Sequence, residues 1–65
     1  MSAVDPGNEQ MRQGGKLEMA ARYEEALKFY KEALAIFKRE KNATGVRDAE
    51  QAIYEMDRKH RYGAA

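Results

Sequence analysis

The apolar residues of this chain recur at the spacing of an α-helix, most clearly in its middle third. From Tyr23 onward, apolar side chains return every three or four residues, which places them on one side of a helix. Strong helix formers fill the positions between them. The pattern predicts a helix over about 23–40 whose packing residues are Tyr23, Ala26, Leu27, Tyr30, Ala33, Leu34 and Phe37.

A second stripe of helical period follows on the C-terminal side. It predicts a helix over about 45–61 that ends in basic residues, which suit the negative end of a helix dipole. Gly63 is placed to stop this helix. The stripe consists of Val46, Ala49, Ile53, Met56 and His60, and we expect Ala49 and Ile53 to pack against the middle helix.

The N-terminal helix has the thinnest apolar face. Asp5 can cap it and Pro6 suits its first position, so we expect a helix over about 6–21. Each glycine of the pair Gly14-Gly15 costs roughly 1 kcal/mol relative to alanine inside a helix. Its expected packing side consists of Met11, Gly14, Leu17, Ala20 and Ala21.

Short polar connections separate the three predicted helices. Arg22 forms the first turn and residues 41–44 form the second, where we interpret Asn42 and Thr44 as a polar loop and helix cap. Short connections make neighbouring helices antiparallel. The sequence therefore predicts an all-α single domain over residues 1–65, an antiparallel three-helix unit.

The composition argues against several classes of function but does not identify one. The chain has no Cys and a single His, so it predicts no metal site, no cofactor and no catalytic activity. Its net charge of +1, from many charges of both signs, makes nucleic acid an unlikely partner. Its apolar runs are too short to span a membrane, and it carries no secretory signal, so we expect a cytoplasmic protein.

The size of the chain adds a reason to expect association. A domain of 65 residues without disulfides has few ways to become stable beyond helix packing and self-association. Three large apolar residues remain for which a three-helix unit has no obvious cover. We expect a partner or a second copy to contact Phe29, Ile36 and Tyr54.

The stretch 21–34, Ala-Arg-Tyr-Glu-Glu-Ala-Leu-Lys-Phe-Tyr-Lys-Glu-Ala-Leu, resembles the second half of a tetratricopeptide repeat (TPR). In that family a small and a bulky residue mark the first helix, and two alanines around an aromatic mark the second. The matching residues here are Gly14, Leu17, Ala26, Tyr30 and Ala33. The chain departs from the family at Gln10, Gln13 and Lys38, and a following repeat would place Tyr54 where a small residue is expected.

This resemblance implies a module that binds proteins or peptides. The family's binding groove would fall on the first helix, at Met11, Arg12, Gly15, Glu18 and Met19. The lysine and asparagine of the family's carboxylate clamp are missing there, so the groove would be apolar. The chain also resembles the three-helix microtubule-interacting-and-trafficking (MIT) domain in its Tyr-Glu-Glu-Ala-Leu stretch, which implies binding of helical tails. A third alternative is nucleic-acid binding through the basic C-terminal end.

Overall fold

The computed structural model describes residues 5–60, with side chains through Lys59. These residues form three helices and no strand: α1 (Pro6–Met19), α2 (Tyr23–Arg39) and α3 (Ala43–His60). The predicted all-α three-helix fold is thus confirmed. The predicted helix end at Arg61 and the stop at Gly63 lie outside the described residues, as does the side chain of His60 on the predicted stripe.

Helix α2 is the centre of the unit. Helices α1 and α3 both pack against it and touch each other very little. A Cβ atom built on Gly7, at the start of α1, or on Gly45, at the start of α3, would collide with the ring of Phe37 near the end of α2. Near the other end of α1, Gly14 lies against Tyr30. Toward the end of α3, Met56 packs with Tyr30. Because the contacts of α1 and of α3 both run in opposite order to α2 along the chain, α2 is antiparallel to both neighbours.

The core is small and built largely from short side chains. Its buried residues form two clusters along α2, and three of the six are alanine. The largest fully buried side chains are Phe37 and Met56. Burial of a large side chain contributes roughly 1.5–3 kcal/mol, and alanine much less. The six residues are Ala26, Tyr30 and Met56 in one cluster and Ala33, Phe37 and Ala49 in the other.

The two turns are built in the same way. In the first, the Arg22 amide donates to the Leu17 carbonyl at 2.8 Å and the Ala21 amide donates to the Glu18 carbonyl at 2.9 Å. The second turn repeats both hydrogen bonds around Lys41. This paired arrangement is the Schellman motif, whose second-to-last residue has a left-handed backbone. Ala21 has φ 64° and Lys41 has φ 57°, so neither turn uses the glycine that this position favours.

Helix α3 begins earlier than the sequence suggests. Its first residue is Ala43, so Thr44 and Gly45 lie within the helix rather than in a loop or at its start. The reason is the cap: the Asn42 side-chain oxygen accepts a hydrogen bond from the Gly45 amide at 2.9 Å, which satisfies one of the free amides of the first turn.

Helix α1 ends earlier than expected. It stops at Met19, and Ala20 and Ala21 belong to the turn, where both are exposed. Their place on the predicted packing side of the first helix is therefore wrong. The Schellman hydrogen bonds terminate the helix before either methyl group can reach α2.

Candidate docking groove

A groove of about 480 Å³ runs between one flank of α2 and one flank of α3. On α2 the lining residues are three or four positions apart, and on α3 the adjacent Ile53 and Tyr54 each lie three or four positions from Glu50 and Asp57, so each set shares one side of its helix. The α2 set is Leu27, Lys31 and Leu34, and the α3 set is Glu50, Ile53, Tyr54 and Asp57.

The floor of the groove is apolar. Leu27, Leu34 and Ile53 are half-buried, and each packs against a core cluster. All three fall in the predicted packing set, and the structure places them between the core and the groove. Leu27 and Leu34 are two helical turns apart, a separation of about 10 Å along the axis.

The rims of the groove carry charges of opposite sign. Lys31 lies on the α2 side, and Glu50 and Asp57 lie on the α3 side, all three exposed. Within residues 5–59, none of the three makes an ion pair or a side-chain hydrogen bond. The groove therefore presents a positive edge facing a negative edge across an apolar floor.

Tyr54 stands at the α3 rim with 57 % of its surface exposed. The guanidinium of Arg58 lies 5.6 Å from the centre of its ring, within cation–π range. The other two residues expected to contact a partner, Phe29 and Ile36, are half-buried on α2 and do not line the groove. The structure therefore does not bring the three together on one surface.

Three of the predicted partner-binding residues on α1 are half-buried. Met11 packs against both core clusters, and Gly15 lies beside the Tyr30 hydroxyl. The Glu18 carboxylate accepts a hydrogen bond from that hydroxyl at 2.8 Å. These contacts join α1 to α2 and leave less of the three residues accessible to a partner.

The other two predicted binding residues are exposed. Arg12 forms an ion pair with Glu9 at 3.4 Å, and Met19 is 90 % exposed at the end of α1. Met19 is thus the most exposed large apolar side chain in the described part of the chain. The predicted α1 surface exists, but it offers one exposed apolar side chain rather than a groove.

The Tyr30 hydroxyl has a strongly shifted acidity. Burial raises its pKa well above the usual value of 10.0, and the hydrogen bond from Tyr30 to Glu18 and the negative charge of that carboxylate raise it further. The phenol therefore stays protonated and remains a hydrogen-bond donor over the whole neutral range. Its role in this arrangement is to tie α2 to α1.

The described residues contain no group of three His, Cys, Asp or Glu side chains that could hold a metal ion. None of the helices described is both long and apolar enough to cross a bilayer. Of the basic C-terminal end, Arg58 and Lys59 are described and exposed, and Arg61 lies outside the description.

The sequence does not mark Lys31 or Glu50 as binding residues, and it predicts an i,i+4 pair of Asp57 with Arg61, which lies outside the described residues. A signal for the three rim charges existed, since each lies three or four residues from an apolar residue of the floor. Comparisons with protein-family models, with curated proteins and with solved structures find no match.

Proposed function

We propose that this chain is a non-catalytic protein-interaction module, similar in design to a TPR hairpin with an added helix, that receives a partner's amphipathic helix. The observation that supports this most is the groove between α2 and α3. Helix-in-groove binding uses apolar anchors one and two turns apart that enter an apolar groove. Leu27 and Leu34 form the floor at that spacing, with Ile53 opposite them.

The rims favour a protein over a nucleic acid. Glu50 and Asp57 would repel a phosphate backbone, whereas a helix with acidic residues on one edge and basic residues on the other matches both rims. Tyr54 adds an exposed aromatic side chain, a residue type enriched in protein interfaces. Neither a metal nor a cofactor is needed for this activity.

An MIT-like adaptor would belong to the same biochemical class. It too would bind a helical segment, so the proposal does not depend on which family the chain resembles more. The molecule does offer two alternative binding sites for a partner. One is the groove between α2 and α3, and the other is the α1 surface around Met19 and Arg12.

A synthetic helical peptide tests the groove directly. The peptide carries leucines at positions i, i+4 and i+7, glutamates on one edge and lysines on the other, and is titrated into the isotope-labelled full chain. We expect NMR shift changes at Leu27, Leu34, Ile53 and Tyr54, with affinity reduced at least about tenfold by Tyr54→Ala. Met19→Ala is the matched control and should bind normally.

Two results would count against the proposal. Shift changes centred on Met19 and Gly15, lost in Met19→Ala, would assign binding to the α1 surface instead. Absence of any shift change at millimolar peptide, in a sample shown by sedimentation to be monomeric, would remove helix binding by this chain.

A further inference from the structure

We infer that the partner covering the groove is a second copy of this chain, so that two copies pair groove to groove. The inference rests on the proposed function, because it names the occupant of the same site. The two-fold axis relating the copies runs along the groove, parallel to α2 and α3. Helix α2 of each copy then lies over α3 of the other.

Charge complementarity supports this occupant. The groove has Lys31 on its α2 rim and Glu50 and Asp57 on its α3 rim. When α2 of one copy lies over α3 of the other, each Lys31 faces the two carboxylates of its neighbour. A two-fold interface uses every contact twice, so this arrangement forms two identical charged clusters.

The heights of these residues along the helices also agree. Tyr30 belongs to one core cluster with Met56, and Ala33 belongs to the other with Ala49, so Lys31 lies between the levels of residues 49 and 56. Glu50 lies within that stretch and Asp57 directly follows it, about 10 Å from Glu50 along the axis. A rotation about an axis parallel to the helices preserves height. Each Lys31 therefore faces the stretch of the other copy that carries the two carboxylates.

The alternative two-fold arrangement is electrostatically unfavourable. An axis perpendicular to the helices would place α2 over α2 and α3 over α3. The Lys31 rims would then face each other, and the rims of Glu50 and Asp57 would do the same. Juxtaposed like charges disfavour an interface, so the charges select the axis along the groove.

The small core of the single chain also favours pairing. Three of its six buried hydrophobic residues are alanine, and Leu27, Leu34 and Ile53 remain half-buried along the groove. Pairing would cover these three side chains together with the exposed ring of Tyr54. Small domains without disulfides commonly gain the missing stability through such association.

Charge exchange between two variants tests the pairing. Sedimentation equilibrium is performed on the wild-type chain, on Lys31→Glu and on the double variant Glu50→Lys/Asp57→Lys. We expect a wild-type dimer, and self-association weakened at least about tenfold in each variant because like charges then meet. Mixing the two variants should restore a dimer, since glutamate at position 31 then faces the new lysines while Lys31 faces the native carboxylates.

Matched control variants distinguish the effect of the rim charges on pairing from the effect of a change in net charge. Lys28→Glu changes the charge by the same amount as Lys31→Glu, and Glu40→Lys/Asp48→Lys matches the double variant; all three residues are exposed and lie outside the groove lining. Both controls should dimerise like the wild-type chain. If a rim variant unfolds when it cannot pair, recovery of helical circular dichroism on mixing is the equivalent readout.

The possible results distinguish this inference from the proposed function. A wild-type monomer at millimolar concentration that still binds the synthetic helix in the groove overturns self-pairing and leaves helix binding standing. A dimer that is unaffected by both rim variants also overturns the inference, because it must form through another surface. A monomer that binds no helix removes both proposals.

Discussion

The two sides of α2 differ in how closely a neighbouring helix approaches. On the α1 side, Gly7 and Gly14 lie directly against the rings of Phe37 and Tyr30 along most of the interface. On the α3 side, Gly45 makes such a contact at one end. Farther along α3 the residues packed against α2 carry side chains, from Ala49 to Ile53 and Met56, and the groove opens at the edge of Ile53.

This difference explains how one helix can be both a core element and a binding surface. Where glycine faces an aromatic ring, the backbone and the ring meet and no space is left. Where side chains face side chains, the helices are spaced more widely and apolar flanks remain accessible. We interpret the α1 side as the part that specifies the fold and the α3 side as the part available to a partner.

The largest expected effect comes from the Phe37 ring, which lies against the starts of both α1 and α3. Phe37→Ala should destabilise the chain by about 3–5 kcal/mol, because it removes the side chain packed against the starts of α1 and α3. For a domain this small, that loss should abolish folding. Circular dichroism during urea titration, at a fixed protein concentration, measures it.

Phe29→Ala is the control for that variant. Its ring is half-buried, so its removal should cost less than half as much. Equal losses in the two variants would show that Phe37 does not join the two interfaces.

A pair of adjacent glycines tests the closed side of α2. A Cβ on Gly14 would lie 2.6 Å from Cε1 and 2.7 Å from Cδ1 of the buried Tyr30 ring. Overpacking of this kind costs about 1–3 kcal/mol, against a gain of about 1 kcal/mol in helix propensity. We expect Gly14→Ala to lower the free energy of unfolding by up to about 2 kcal/mol.

Gly15→Ala should have the opposite sign. The nearest atom to its Cβ would be the Tyr30 hydroxyl oxygen at 3.9 Å, an ordinary contact. Only the propensity gain of up to about 1 kcal/mol then remains. Thermal melts of both variants measure the difference, and a stabilised Gly14→Ala variant would contradict the close approach of α1 and α2.

The hydroxyl of Tyr30 provides a smaller, pH-dependent test of the same side. Tyr30→Phe removes the hydrogen bond to Glu18 and should cost about 1 kcal/mol near neutral pH. Because the folded pKa of Tyr30 is raised, its contribution is complete below the unfolded value of 10.0 and is lost as the pH rises from there through the folded pKa.

Wild-type stability should therefore decline in alkaline solution more steeply than that of the Phe variant. Unfolding curves on both sides of pH 10 measure the two slopes. Parallel slopes would mean that the hydroxyl is not held away from solvent by α1.

The smallest effects are expected at the turns, which are alike on the two sides of α2. Ala21→Gly and Lys41→Gly should each raise the free energy of unfolding by about 0.5–1 kcal/mol, because glycine adopts positive φ without the steric cost of a Cβ atom. Ala20→Gly is the control, since Ala20 has φ −86° and should gain nothing. Equal effects at Ala20 and Ala21 would contradict the left-handed backbone of the turn.

The helices could be predicted from the sequence because their apolar residues keep helical spacing and their helix formers are strong. The start of α3 could not, because Gly45 suggests a helix boundary while the cap that sets the boundary is the side chain of Asn42. Likewise, nothing in the local pattern at Gly7 or Gly45 indicates that both face the ring of Phe37.

The groove could be predicted only in part. The apolar pattern identifies Leu27, Leu34 and Ile53 as packing residues and assigns no packing partner to Tyr54. The pattern cannot predict which neighbouring helix covers a given flank, since that depends on the spacing between α2 and α3. The surface expected on α1 shows the same limit, because Met11 and Glu18 make contacts with α2 side chains far away in the sequence.

Methyl NMR during dilution of the wild-type chain tests the central claim most directly. The groove methyl groups of Leu27, Leu34 and Ile53 are compared with those of Leu17, which belongs to α1 and does not line the groove. We predict that the groove methyl signals shift between millimolar and micromolar protein while the Leu17 signals stay constant. Constant groove signals, or shifts centred on Leu17, would contradict the claim that two copies meet along the open side of α2.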